Sequence, residues 1–164
     1  MRQFSRHFST VTVVLLMSVI LAACGFHLRG QLPLPASVSV IFLDADQTEF
    51  TNELSKSLRS SGARFVDTPS QAKAILQIAD EFAEREVLTL NTDGRATSFR
   101  LFYTVNYLVA NEKQELLKEG LLTEQRSYNL DPGQGTIQEN EENELLEEMY
   151  KELALKMVRQ LGAL

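Results

Sequence analysis

The sequence predicts an α+β domain: a mainly antiparallel four-stranded sheet with two helices packed on one face. Two kinds of periodicity carry that prediction. Between residues 74 and 128 apolar and polar side chains alternate with period two, broken by clusters of turn-forming residues. Around residues 47–61, and again from Gln138 onward, apolar residues recur at spacings of three and four, the repeat of one helix face.

Taken in order, Val38, Val40 and Phe42 alternate with Ser39 and Ile41, a strand largely apolar on both faces. Asp46-Gln47-Thr48-Glu49 has the form of a capping box, with the Asp46 carboxylate accepting from an orphan amide and Glu49 reaching back. Phe50, Leu54 and Leu58 form the stripe of a helix over residues 47–61, and Gly62 sits where a C-cap needs positive φ. Arg64-Phe65-Val66 is a short strand-like piece, and Pro69 breaks the chain after it. Ala74, Leu76, Ile78 and Phe82 share one parity in the next strand, and the charged Glu84-Arg85-Glu86 leaves room for a bulge or bend. Asn91-Thr92-Asp93-Gly94 is a hairpin signal, since Asn and Asp-Gly tolerate the left-handed conformations of tight turns.

The strand that follows is the clearest. Phe99, Leu101, Tyr103, Val105, Tyr107 and Val109 lie on one face, with Ser98, Arg100, Thr104 and Asn106 on the other. Asn111-Glu112-Lys113 makes a second turn, and Leu117, Leu121 and Thr123 belong to a strand over residues 115–128. Strands that are neighbours in sequence pair most economically antiparallel. Leu130 to Gly135 is a loop by composition. Leu145, Leu146, Met149, Tyr150, Leu153, Met157, Val158 and Leu161 then mark the second helix, with glutamates crowding its start and Lys156 and Arg159 at its end, as the helix dipole favours. A sheet covered on one side leaves its other face free.

The N-terminus sets the compartment. Arg2 and Arg6 precede an uncharged run from Val11 to Leu21, and Leu21-Ala22-Ala23-Cys24 closes it. A charged start, an apolar middle and small residues before a cut are the parts of a secretory signal. The small-small-Cys ending is its lipoprotein variant, with diacylglycerol on the Cys24 sulfur and an acyl group on the new N-terminus. An uncleaved membrane helix is the alternative, but the run is far shorter than the roughly 20 residues that span a bilayer. Cys24 is the only cysteine, so no disulfide forms within the chain. Removing residues 1–23 from the 164-residue chain leaves 141 residues and takes the formal net charge from −6 to −8. That balance argues against nucleic acid, which requires clustered Lys and Arg. Gly25, where aspartate signals inner-membrane retention, favours the outer membrane. Residues 24–36, with Gly30, Pro33 and Pro35, read as an acylated N-terminus and extended leader.

Catalytic patterns are weak. His27 is the only histidine of the mature chain and has no second His or Cys at a ligand spacing, so no metal and no cofactor are expected. No nucleophile-elbow, phosphate-loop or dinucleotide fingerprint occurs, and the chain is not expected to be an enzyme. What stands out is arginine on the long strands: Arg85, Arg95, Arg100 and Arg126. A guanidinium fork matches phosphate bidentately. The alternative is cross-strand pairing with Glu84, Glu86 and Glu124. Phe102 and Leu108 share the parity of Arg100, a mixed face suited to a protein partner or an amphipathic ligand.

The mature start, Cys24-Gly25-Phe26-His27-Leu28-Arg29-Gly30, resembles that of the LptE family, the lipopolysaccharide-assembly lipoproteins of Gram-negative outer membranes. The likeness extends through the Val38–Asp44 strand, Tyr103-Thr104-Val105-Asn106 and the helix with Glu147-Glu148-Met149-Tyr150. The resemblance implies that residues 37–164 are a plug inside the β-barrel protein LptD, the pair inserting lipopolysaccharide into the outer leaflet. It implies assistance to barrel assembly, direct lipopolysaccharide binding, and localisation at the outer membrane with the lipid anchor in the bilayer. The family's basic lipopolysaccharide contacts fall near the first long hairpin and shortly before the last helix. Here Arg95 lies just past the hairpin turn, whereas Thr136-Ile137-Gln138-Glu139 holds no base. The candidate ligand residues are therefore Arg95 and Arg100. Two further readings stay open: a lipoprotein binding or sensing another amphipathic envelope ligand, which a sealed apolar pocket would favour, and a hydrolase, which a cleft with two facing carboxylates would favour.

Overall fold

The computed structural model describes residues 33–129 and 135–164, with side chains in the last helix described from Asn140 onward. The signal segment, Cys24, His27 and most of the leader lie outside the described residues, as does Leu130–Gln134 of the predicted loop.

Five strands and two helices make the domain. They are β1 (Val40–Asp44), α1 (Glu49–Ser60), β2 (Arg64–Phe65), β3 (Ala74–Leu90), β4 (Ala96–Asn111), β5 (Leu116–Asn129) and α2 (Gly135–Leu161). Short 3-10 turns at Ala36–Val38 and Pro69–Gln71 lead into β1 and β3. The sheet order is β2-β1-β3-β4-β5. The expected meander is present as β3-β4-β5, antiparallel throughout. The four-stranded expectation needs correction, because Arg64-Phe65 pairs as a fifth strand and β1 runs parallel to both β2 and β3. Helix α1 carries the chain from β1 back to the start of β2. The Val66–Lys73 segment then returns it again, so β1, β2 and β3 all begin at one end of the sheet. A rule of adjacent antiparallel neighbours takes no account of such crossovers.

Helix α1 begins two residues later than the sequence expectation. Thr48, not Asp46, is the N-cap, and its hydroxyl accepts from the Thr51 N–H at 3.1 Å while the Thr51 hydroxyl accepts from the Thr48 N–H at 2.9 Å. The box is built from two threonines because the buried Thr51 hydroxyl can also donate to the Asp46 carbonyl at 2.7 Å. Gly62 ends the helix at φ +93°, as expected. Helix α2 starts at Gly135, so Thr136–Glu139 lies within its first turns and not ahead of it.

Both helices pack on one face. Phe50, Leu54 and Leu58 of α1 and Met149, Leu153, Met157 and Leu161 of α2 are fully buried against Leu101, Tyr103, Val105, Tyr107 and Val109 of β4. Each such large apolar side chain contributes on the order of 2 kcal/mol. Phe50, Tyr103 and Tyr150 meet at tilted and edge-to-face angles at the centre. Burial, then the Glu81 carboxylate, pushes the Tyr103 hydroxyl well above the usual tyrosine range, so it stays protonated and donates to Glu81 Oε2 at 3.0 Å.

The bulge lies elsewhere than in Glu84-Arg85-Glu86. Register shifts fall between Ile78 and Asp80, and again between Val87 and Leu90. The first moves Phe82 onto the opposite face from Ile78, opposite Thr104 and 45% exposed. On the helix side Gly120 lies under Tyr107, where an added Cβ would come within 2.8 Å of the ring hydroxyl. The expected result of Gly120→Ala is a loss of about 1–3 kcal/mol as Tyr107 is displaced from the core. Urea denaturation checks it: an unchanged midpoint contradicts the packing described.

Candidate functional site: an open sheet face and an extended hairpin

Only the first few residues of β3 pair with β1; beyond Gln77 the sheet narrows to β3-β4-β5. This three-stranded extension ends in the β3–β4 hairpin. Its turn is an Asx turn, with Asn91 Oδ1 accepting from the Asp93 and Arg95 N–H groups at 2.9 Å each, and with Gly94 at φ +75°. At a rise of about 3.4 Å per residue, the 16 residues of β4 place the tip about 50 Å from the other end of the sheet. That other end holds the second turn, in which Asn111 Oδ1 accepts from the Lys113 and Glu115 N–H groups and Gln114 occupies the positive-φ position at 63°.

The strand arginines divide by face. Arg85 and Arg126 are on the helix side and are consumed by α2. Arg85 meets Glu142 at 3.2 Å and lies over the Phe99 ring at 4.8 Å, while Tyr128 donates to the same Glu142 at 2.7 Å. Arg126 bridges Glu124 at 3.0 Å and Glu152 at 2.5 Å, and Glu124 is also bonded by Lys156. Arg100 is on the open face, 3.7 Å from Glu86 and above the Phe102 ring. Cross-strand pairing thus holds for Glu86, while Glu124 bonds Arg126 two residues along its own strand. Arg95 is exposed at the hairpin tip and makes no ion pair among the described residues. The two candidate ligand residues do not share a site: Arg95 is in the turn ahead of β4, and Arg100 lies five residues on, on the open face of the strand.

Around Arg100 the open face reads in cross-strand rows: Glu86–Arg100–Ser127, Glu84–Phe102–Gln125, Phe82–Thr104–Thr123, Asp80–Asn106–Leu121. The Thr104 and Thr123 hydroxyls bond at 3.1 Å, and Thr104 is buried despite facing away from the helices. Phe82 and Leu121, at 45% and 61% exposure, flank it as apolar surface. The parity of Phe102 and Leu108 is readable in sequence. Phe82 is not, because the bulge that turns it outward leaves no residue signature. Among the described residues no group of three or more His, Cys, Asp and Glu side chains is placed to hold a metal ion. A groove of about 340 Å³ between the helices is open and lined by Glu49, Asn52, Glu53, Lys56, Glu147, Tyr150 and Lys151, not a sealed apolar pocket.

A domain with one closed face, one mixed face and a projecting hairpin is a binding module in form. Comparison with known proteins gives it a family. The lipopolysaccharide-assembly (LptE) family matches residues 36–161, and the chain belongs to that family. It is 25% identical over 159 residues to the LPS-assembly lipoprotein LptE of Pectobacterium atrosepticum, covering 95% of this chain and 86% of the relative. Against the LptE of Photorhabdus laumondii the identity is 24% over 163 residues, with the same coverage. The fold is similar to the solution structure of lipoprotein B from Nitrosomonas europaea, with TM-score 0.71 and 25% identity over 85% of this chain and 91% of that one. It is also similar to the crystal structure of the rare lipoprotein B from Shewanella oneidensis, with TM-score 0.68 and 22% identity over 76% and 94%.

The seam between β5 and α2 generates a pH prediction. Burial pushes the Glu124 carboxyl upward, but its bonds to Lys156 and Arg126 outweigh this and hold it below the usual carboxylate range. A depressed folded value means the bonds stabilise above the unfolded carboxylate pKa and lose that contribution as pH falls through the folded value. Glu124→Gln is expected to cost about 1–2 kcal/mol at pH 7 and to flatten the acid limb of stability below about pH 4.5. Denaturation midpoints at pH 7 and pH 3.5 check it; a parallel loss at both contradicts it.

Proposed function

We propose that this chain is the plug of an outer-membrane LptD barrel, anchored through acylated Cys24, and that the pair forms the translocon that inserts lipopolysaccharide into the outer leaflet. The signal peptide over residues 1–23 and the leader over 24–36 serve that placement. Family membership supports the assembly role, and the observation that carries the plug reading is the three-stranded extension. Beyond the Gln77–Leu108 pair the extension runs about 40 Å along β4, longer than the roughly 25 Å apolar band of a barrel, so it can reach through the lumen with α2 along one face and the open face toward the barrel wall. Barrel interiors are polar, which suits the Glu84, Glu86, Arg100 and Gln125 rows. A large shape-matched contact needs no single dominant charge.

Within this reading Arg95 is the phosphate contact of lipopolysaccharide, because no carboxylate competes for it among the described residues. Arg100 joins only by leaving Glu86, an exchange of small cost for a solvent-exposed pair. The test is isolation of the acylated protein from outer membranes in mild detergent, reading barrel and lipopolysaccharide together. Arg95→Ala is expected to lower retained lipopolysaccharide several-fold with the barrel still stoichiometric, and truncation of Thr92–Arg95 to lower barrel recovery. Full recovery of both components with every variant rejects these contacts, and absence of a large barrel from the wild-type isolate rejects the plug.

A further inference from the structure

The extension has two free edges, and they are built differently. Beyond Gln77 the outer edge of β3 is broken by the shifts at Ile78–Asp80 and Val87–Leu90 and carries Glu84-Arg85-Glu86. Bulges and charges are the devices that keep other strands from pairing with an edge. β5 is the last strand of the sheet order, and after one extra residue at Leu117 it pairs with β4 without a break from Lys118 to Asn129. Helix α2 lies on one face of β5, bonded to Lys118, Glu124 and Arg126, and no strand lies beside the β5 edge among the described residues. Leu116, Leu117 and Leu121 are 55%, 43% and 61% exposed. The open face beside them is apolar too, because Leu116 ends the row Phe42–Ile75–Ala110–Leu116. Further along β5 the residues of that face turn polar, as Thr123, Gln125 and Ser127. A regular edge flanked by exposed leucines is a template for another strand.

We infer that the first half of β5, from Lys118 to Thr123, takes up an extended segment of the barrel's own chain as an added strand, outside the lumen. The inference rests on the plug reading. In strand addition main-chain hydrogen bonds supply the affinity and alternate side chains the specificity. The segment therefore carries apolar residues at alternate positions, against Leu116 and Leu121, and no proline where its N–H groups meet the edge. A second copy of this chain fits poorly. Antiparallel pairing that sets Leu121 opposite its twin sets Leu116 and Leu117 opposite Arg126 and Gln125, and Arg126 is already held by Glu124 and Glu152. Position says which chain supplies the strand. Leu121 is in the first row past the Gln77–Leu108 pair, where the extension begins. With the tip level with the far rim of an apolar band of roughly 25 Å, about 15 Å at the start of the extension, some four rows, stands outside the near rim. A closed barrel wall offers no free edge to pair with, so the strand comes from a part of that chain outside the barrel.

Photocrosslinking in the isolated complex tests this. Leu121 or Phe102 of the full chain is replaced by p-benzoylphenylalanine, the complex is isolated from outer membranes in mild detergent and illuminated, and the crosslinked peptides are identified by mass spectrometry. Position 121 is expected to crosslink to a non-barrel segment of the barrel chain, and position 102, on the open face within the lumen, to a barrel strand. Leu116→Lys/Leu117→Lys puts charge at the edge and is expected to lower the yield at position 121 several-fold per barrel recovered. No crosslink at position 121, a crosslink to a barrel strand, to a second copy of this chain or to lipid alone, or a yield unmoved by the lysines, overturns the strand addition. In each of those cases a barrel-strand crosslink from position 102 leaves the plug reading standing. An isolate without a barrel overturns the plug, and the added strand with it.

Discussion

Three carboxylates and three cations lie in one line along the seam between α2 and the sheet. Glu142 takes Arg85 and the Tyr128 hydroxyl near the start of the helix, Glu152 takes Arg126, and Glu124 takes Arg126 and Lys156 further along. Lys118 completes it by donating to Gln160 at 2.5 Å. The 27 residues of α2, about 40 Å of helix, are thereby held antiparallel to β5 along its length. Behind the seam Met149, Leu153 and Met157 are excluded from water. Hydrophobic burial supplies most of the energy, but it is indifferent to sliding by a helical turn. The paired charges are not, and they set where the helix lies.

With the helix side closed, two consequences follow for the rest of the molecule. Arg85 and Arg126 are spent on structure, which leaves Arg95, and Arg100 behind Glu86, as the cations facing outward on the long strands. The opposite sheet face is left without a covering layer, so Phe82 and Leu121 remain exposed among Thr, Asn, Glu and Gln side chains. A surface of that mixture is typical of a contact that buries a modest apolar centre within a polar rim. The sheet also has direction. β1, β2 and β3 begin at the end where the leader arrives, and the β3–β4 turn is at the far end.

Much of this was legible in the residues. The inward ladder of β4, the two turns opening at Asn91 and Asn111, Gly62 at positive φ and the buried stripe of α2 follow from short-range periodicity and turn chemistry. What escaped depends on partners distant in sequence. The parallel β1–β3 pairing is made by a crossover and a return loop, and the two-residue β2 is a strand only because Val40 and Ile41 lie beside it. Phe82 faces outward because one extra residue at the Ile78–Asp80 shift reverses parity. The α1 cap moved from Asp46 to Thr48 because Thr51 can bond both the cap and the Asp46 carbonyl. Of the site residues, Arg100 was placed on the correct face. That Glu86 holds it while Arg95 stays unpaired is a matter of side-chain distance, which spacing does not encode. Cys24, the proposed anchor, lies outside the described residues, and that proposal rests on its sequence context.

The central claim is that the open face and hairpin tip, and not the helices, meet the partner. Amide hydrogen exchange on the free protein and on the barrel complex tests it most directly. The account predicts added protection in residues 82–106 on complex formation, with α1 little changed. Protection gained over α1 and the outer side of α2, with the hairpin exchanging as in the free protein, would contradict it.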